Sequence, residues 1–391
     1  MDKYARVLVN FALNSGNGVR PGEVVRLIAQ ESAKPLYIAV RNQLLKSGAH
    51  PLTFYLPDGV SRSFYELANP SQLEFFPRRF MHGLADDIDH SIALISETDQ
   101  HELEGIDPVK IMARIKAGKP FKDWLDTKEN SGLFTWTLAL YGTPAMAKEA
   151  GLTLSRYWQQ IISACFLDAP DPVVVWRQVF SENDRIRNWL NRLPISTLHV
   201  TGPDVDLRIS LGQKRRWLGG SGRNIPSFEI FTSPDWRGTE GWISFNQPLY
   251  RYGSLITGIR LEFAHGRVVN SSAVKNSALL KQMLATENAD KIGEFSLTDK
   301  RLSKITRFMA ETLYDENISG PFGNTHIALG SAYADTFTGS LNRLTPQLKT
   351  ELGFNDSVIH TDIISTTDRT VTATLIDGSS QVIYSAGRFI V

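Results

Sequence analysis

Two histidines and four carboxylates in the second half of a 391-residue chain are the residues best suited to chemistry. His360, Thr361 and Asp362 stand in a row. In a strand, side chains two apart share a face, so the imidazole and the carboxylate would converge with Thr361 turned away. That pair suits a divalent metal; it equally suits the exposed end of an ordinary strand. Glu229 interrupts an apolar run, Phe228-Glu229-Ile230-Phe231. A carboxylate there is costly to bury unless paired or coordinated, and otherwise belongs on the wet face of its strand. Glu294 follows Gly293, which lets backbone and site approach closely. Glu316, in YDENISG, reads as a loop carboxylate after a helix. His326 and Tyr333 are seven residues apart, a spacing that would place them on one face of a helix, as a core pair or as a metal ligand beside a phenol. Carboxylates and imidazoles without thiolates suit a hydrolytic site for Zn, Mn, Co or Mg rather than a structural zinc cage.

All these residues fall within 229–362, so the elements there must position them. After Pro194 the chain alternates apolar and polar residues at period two, in TLHV, VDLRISL and TGIRLEFA, as half-exposed antiparallel strands do. Asp377-Gly378 signals a hairpin turn. Residues 276–284 and 299–313 carry helical patterns. The first half reads differently. GEVVRLIAQ is a short apolar strand, followed by a helical stripe through Ala33, Leu36, Tyr37, Val40 and Leu44, a stop at Gly48 and the strand PLTFYL. This βαβ pattern continues with SIALIS and FTWTLAL. Asp107-Pro108 opens a helix that Gly118 is expected to close, Thr143-Pro144 opens another, and 154–193 is helical in pattern. The expected fold is an α/β N-terminal domain with a mostly parallel sheet, residues 1–195. A mixed α+β, strand-rich C-terminal domain carrying the metal site follows at 196–391.

Composition excludes several classes. Lys and Arg total 42 against 41 Asp and Glu, which gives no electrostatic reason to expect nucleic acid or an anionic membrane. No apolar run approaches the ~20 residues that span a bilayer. Cys165 is the one cysteine, in an apolar setting that suits a buried structural thiol. A cytoplasmic protein is the expectation. No dinucleotide or P-loop fingerprint follows a strand, and no nucleophile elbow is present. Gly219, Gly220 and Gly222 form a glycine-rich stretch, but it runs into Pro226 rather than a helix.

End to end, the sequence resembles the M29 family of metallo-aminopeptidases, of the aminopeptidase T and aminopeptidase S type. The resemblance is carried by LNSGNGVRPGEVVRLIAQ, YGTPAMAKEAGL and YWQQIISACFLD in the first half, then GRNIPSFEIFTSP, YDEN, HIALGSAY and HTDIIS in order in the second. It implies two adjacent divalent metals held by Glu229, Glu294, Glu316, His326, His360 and Asp362. Tyr333 then assists catalysis, and Glu294 or Glu316 serves as general base. The implied activity removes N-terminal residues from short peptides with a free amino terminus, using a metal-activated water, in a homodimer. The alternatives are a metallohydrolase for another amide and a peptide-binding homologue with impaired turnover. Between Glu316 and His326 the chain is longer than the family pattern, NISGPFGNT, so Glu316 is the ligand a displaced loop would remove. DWRGTEG is a second departure, in which Arg237 and Glu240 form a surface ion pair or alter substrate contacts.

Overall fold

The computed structural model describes the whole chain apart from Ser221, Tyr252, Gly253 and the side chain of Asn342. Ser221 of the glycine-rich stretch therefore lies outside the described residues. The chain divides into two units, Met1–Arg177 with Ser221–Pro226, and Gln178–Gly220 with Ser227–Val391.

In the first unit, β1 (Val24–Gln30), β2 (His50–Leu56), β3 (His90–Ile95) and β4 (Thr135–Leu140) make a sheet in the order β2-β1-β3-β4. The short strand Asn224–Ile225 completes it, and every pairing is parallel. Along β1 burial alternates: Val25, Leu27 and Ala29 are fully buried. Leu36, Val40 and Leu44 of the helix Lys34–Lys46 are buried as well, which is the expected helical stripe. On the other face Arg26 lies over the Phe121 ring at 5.1 Å.

Two helix boundaries differ from expectation. Asp107 caps its helix by accepting the Val109 N–H at 2.9 Å, but the helix runs Pro108–Asn130, past Gly118. A capping glycine needs positive φ, and here Gly132, just after the end, has it, at 73°. Residues 154–193 form two helices, Leu154–Ala164 and Pro172–Leu190, separated where Phe166 turns to φ 55° ahead of Pro170. Cys165 sits buried at this break.

The second unit is antiparallel. Among the described residues eight strands form one sheet, which includes Ile195–Gly202, Val205–Ser210 and the Thr370–Leu375/Ser380–Ser385 hairpin around Asp377-Gly378. A second sheet contains β5 (Glu229–Thr232), β6 (Ile292–Thr298), β7 (Asn324–Gly330) and β8 (His360–Ser365), in the order β8-β7-β6-β5, with Leu218–Gly219 at the edge. Ile230, Phe295, Leu297, Ile327 and Ile363 of this sheet share one apolar core with Leu198, Val200, Leu207 and Val371 of the larger one. Truncating one of them, Ile327→Ala for example, removes about 2–5 kcal/mol. Period two then sends the intervening residues to the opposite face.

A helix forms at Ser277–Leu284, close to the expected one. The helix expected over 299–313 shrinks to Thr312–Asp315. Side chains take the backbone donors that helix bonds would have used. Asp299 accepts the Arg301 N–H at 2.9 Å, and the buried Asp315 carboxylate accepts those of Met309 at 2.7 Å and Glu311 at 3.0 Å.

Candidate metal centre

Register puts the candidate residues side by side. Across the face opposite the core, Ser296 of β6 pairs with Phe231 of β5 and His326 of β7, while Ala328 of β7 pairs with Glu294 of β6 and Asp362 of β8. Gly330 pairs with His360. Glu294 shares this face with Ser296 by ordinary alternation, and a bulge precedes it: the register shifts between Ile292 and Glu294, so that Ile292 joins the core instead of the site face. Gly293 makes the bulge possible. A Cβ there would stand 2.4 Å from the Ser331 carbonyl oxygen and 2.5 Å from that of Gly330. Gly219 has a related role, since its Cβ would fall 2.2 Å from the Glu229 carbonyl oxygen.

Five of the six expected ligands form two trios that share Glu294: Glu229 with Glu294 and His326, and Glu294 with His360 and Asp362. Within each trio the donor atoms lie within 4.8 Å of one another. His326 Nε2 stands 3.3 Å from Glu229 Oε2 and 3.4 Å from Glu294 Oε1. His360 Nε2 stands 3.4 Å from Glu294 Oε2 and 3.3 Å from Asp362 Oδ1. The two oxygens of Glu294 thus face different histidines. Glu316, which ends the Thr312–Asp315 helix, belongs to neither trio. It is nonetheless buried, and the charges of Glu229, Asp362, His326 and Glu294 act on its carboxyl.

The residues fit a divalent ion on two counts. Two ligands bonded at about 2.0–2.1 Å with a tetrahedral angle stand about 3.3–3.4 Å apart, which is the spacing of these donors. The histidines are also held with Nε2 inward. His360 Nδ1 lies 2.7 Å from the Ser331 carbonyl, which only accepts, so Nδ1 carries the proton. Asn324 donates through Nδ2 to the Glu316 carbonyl at 2.9 Å, which leaves its Oδ1 to accept from His326 Nδ1 at 3.3 Å. His326 Nε2 is buried without a hydrogen-bond partner among the described residues.

Without an ion, protons balance the charge. Burial pulls His326 down, but the nearness and negative charge of the Glu229 and Glu294 carboxylates outweigh it and lift the imidazole well above its ordinary value. His360 is likewise lifted against burial, by Asp362 and then Glu294. Burial raises Glu229 and raises Glu316 further, with help from neighbouring carboxylates. Burial would also raise Asp362, but the charge and hydrogen bond of His360 hold it at about 2. Divalent ions would replace these shared protons.

Tyr333 does not share a helical face with His326. His326 is in the middle of β7, and Tyr333 follows that strand in a turn. There its N–H donates to Ser233 Oγ at 2.8 Å, and its ring lies 4.7 Å from that of His360 and 5.4 Å from that of Phe231. The residue is 42 % exposed, yet partial desolvation and then the negative charges of Glu294, Asp362, Glu316 and Glu229 push the phenol well above its ordinary value.

Several neighbours were not singled out from the sequence. Ser296 donates to Glu229 Oε2 at 3.0 Å, and Arg251 Nη2 donates to the His360 carbonyl at 2.9 Å. Asn317 donates to Glu316 Oε1 at 3.2 Å. The i, i+2 spacing from Glu229 could have revealed Phe231, and that from Glu294 Ser296; nothing in the spacing marks Arg251 or Asn317. Arg237 pairs with Asp235 at 2.6 Å rather than with Glu240, whose carboxylate accepts the His265 N–H at 2.7 Å.

Residues 1–389 match the family model described as thermophilic metalloprotease (M29). The chain belongs to the M29 metalloprotease family. By family it is an aminopeptidase. It is similar to aminopeptidase PepS of Streptococcus thermophilus, 28% identical over 100% of this chain and 98% of that one. It is also similar to aminopeptidase T of Thermus aquaticus, 27% identical over 98% of each. Among solved structures, wild-type AmpT from Thermus thermophilus superimposes with a TM-score of 0.85, at 25% identity, over 100% of this chain and 98% of that one. No helix among the described residues is long and apolar enough to cross a membrane.

Proposed function

We propose that this M29 member is a metal-dependent aminopeptidase that removes N-terminal residues from short peptides. In this reading two divalent ions are held by Glu229, Glu294, Glu316, His326, His360 and Asp362. The observation that carries it is Glu294, whose two carboxylate oxygens each approach a different histidine. When bound, the ions supply Lewis acidity and lower the pKa of a water, so that a nucleophile is available at neutral pH.

The chain's own groups do the rest. His326 and His360 present Nε2 inward because their Nδ1 atoms are occupied. Carboxylates of the cluster receive the substrate's free α-amine, which limits cleavage to the first residue. Glu294 or Glu316 takes the proton from the water and passes it to the leaving amine. Tyr333, kept protonated, donates a hydrogen bond to the developing oxyanion. A homodimer, carried by the family resemblance, and a cytoplasmic setting complete the proposal.

The test strips the protein with chelator and restores Zn, Co, Mn or Mg. Each form is assayed on leucyl-, arginyl- and acetyl-leucyl-peptides. The expected result is ion-restored cleavage of the free-amine peptides alone. Equal cleavage of the acetylated peptide indicates another amide hydrolase, and folded protein inert with every ion indicates a binding homologue.

A further inference from the structure

The loop between Glu316 and His326 is bracketed by two asparagines with no solvent exposure, Asn317 and Asn324. Their amides face the cluster. Asn317 Nδ2 donates to Glu316 Oε1 at 3.2 Å and to the Leu313 carbonyl at 3.3 Å, while its Oδ1 accepts the Phe228 N–H at 2.6 Å. One side chain therefore ties the Glu316 carboxylate to the backbone that leads into Glu229. Asn324 makes the matching link, from the Glu316 carbonyl to His326 Nδ1.

We propose that Asn317 is a positioning residue, seconded by Asn324, that holds Glu316 against the Glu229/Glu294/His326 trio so that it completes the ion site there despite the longer loop. The proposal rests on the metal reading above. Three features support it. Both amides are fully buried and meet complementary partners, an arrangement that specifies one geometry. The loop has its own anchors: Ser319 N–H to the Ile305 carbonyl at 2.7 Å, Ser303 Oγ to the Asn317 carbonyl at 2.6 Å and Lys300 Nζ to the Pro321 carbonyl at 2.8 Å. The asparagine side chains are therefore not what fixes the loop's path. Their partners also lie on the His326 side of the cluster, whereas His360 is held by Ser331. One site is thus predicted to depend on Asn317 and the other not.

The test compares wild type, Asn317→Ala and Asn317→Asp by calorimetric titration of chelator-stripped protein with Co, together with the visible cobalt spectrum. Asn317→Asp keeps an acceptor for the Phe228 N–H and loses the donor to Glu316, so it also serves if Asn317→Ala fails to fold. The expected result is two ions in wild type and, in the variants, one site weakened roughly 10–100-fold with an altered spectrum, the other unchanged. Unchanged affinity at both sites in a folded variant overturns the proposal. So does equal weakening of both sites with a lowered melting temperature, which is a general structural effect. Wild type that takes up no ion overturns the metal reading itself, and the proposal with it.

Discussion

The Nδ1 of His360 is bonded at 2.7 Å to the carbonyl oxygen of Ser331, a residue just beyond the end of β7. A carbonyl accepts and never donates, so the neutral ring has its free lone pair at Nε2, where Glu294 and Asp362 converge. The bond explains why the neighbouring strand end matters to the site: it sets both ring direction and tautomer.

Removing that ring or its shared carboxylate is expected to abolish peptidase activity. His360→Ala and Glu294→Gln should each lose more than the roughly 10–100-fold typical of an outer-partner substitution, with far-UV circular dichroism unchanged. Full activity in either purified variant contradicts the assignment.

Tyr333→Phe keeps the ring contacts with Phe231 and His360 and loses the hydroxyl. Loss of one oxyanion donor predicts a fall in kcat of about 10²–10³, with KM little changed. A rise in KM at constant kcat would instead make the residue a substrate-binding group.

Ala328 pairs with Glu294 on one side and Asp362 on the other, and its side chain is fully buried. Its methyl leaves the space between the two carboxylates open. Ala328→Leu is predicted to fill that space, weaken the ion held with His360 and lower stability by about 1–3 kcal/mol. Titration showing both ions bound as in wild type would mean that the space is not used.

The strand settings of Glu229 and of His360 and Asp362 were legible in the sequence from an apolar run and an i, i+2 spacing; that of His326 was not, because its seven-residue spacing to Tyr333 fits a helix. The parallel strands of the first unit were legible from their apolar runs and helix signals. What escaped depended on non-local partners. A bulge formed against β7 turns Ile292 into the core, and Tyr333 is placed by Ser233, one hundred residues away. The absence of a helix over most of 299–313 reflects side chains, Asp299 and Asp315, that take its backbone donors. Asn317 and Asn324 flank glycines and read as turn residues until their buried partners are seen.

In the first unit, Glu23 accepts the Arg20 N–H at 2.6 Å and lies 2.9 Å from His90 Nε2. Burial would raise this carboxyl, yet these bonds and the His90 charge hold it below its ordinary value of 4.5. A depressed carboxylate stabilises the fold above its unfolded pKa and loses that contribution as pH falls through the folded one. Thermal melts should therefore show Glu23→Gln least stable relative to wild type above about pH 4.5, with the gap closing at lower pH. A gap independent of pH would show that the ionised form contributes nothing.

If Glu294 is shared between two ions, anomalous diffraction from crystals grown with zinc or cobalt should show two peaks, one beside each oxygen of Glu294, the first also within bonding reach of Glu229 and His326 and the second of His360 and Asp362. A single peak, or peaks away from Glu294, would rule that sharing out.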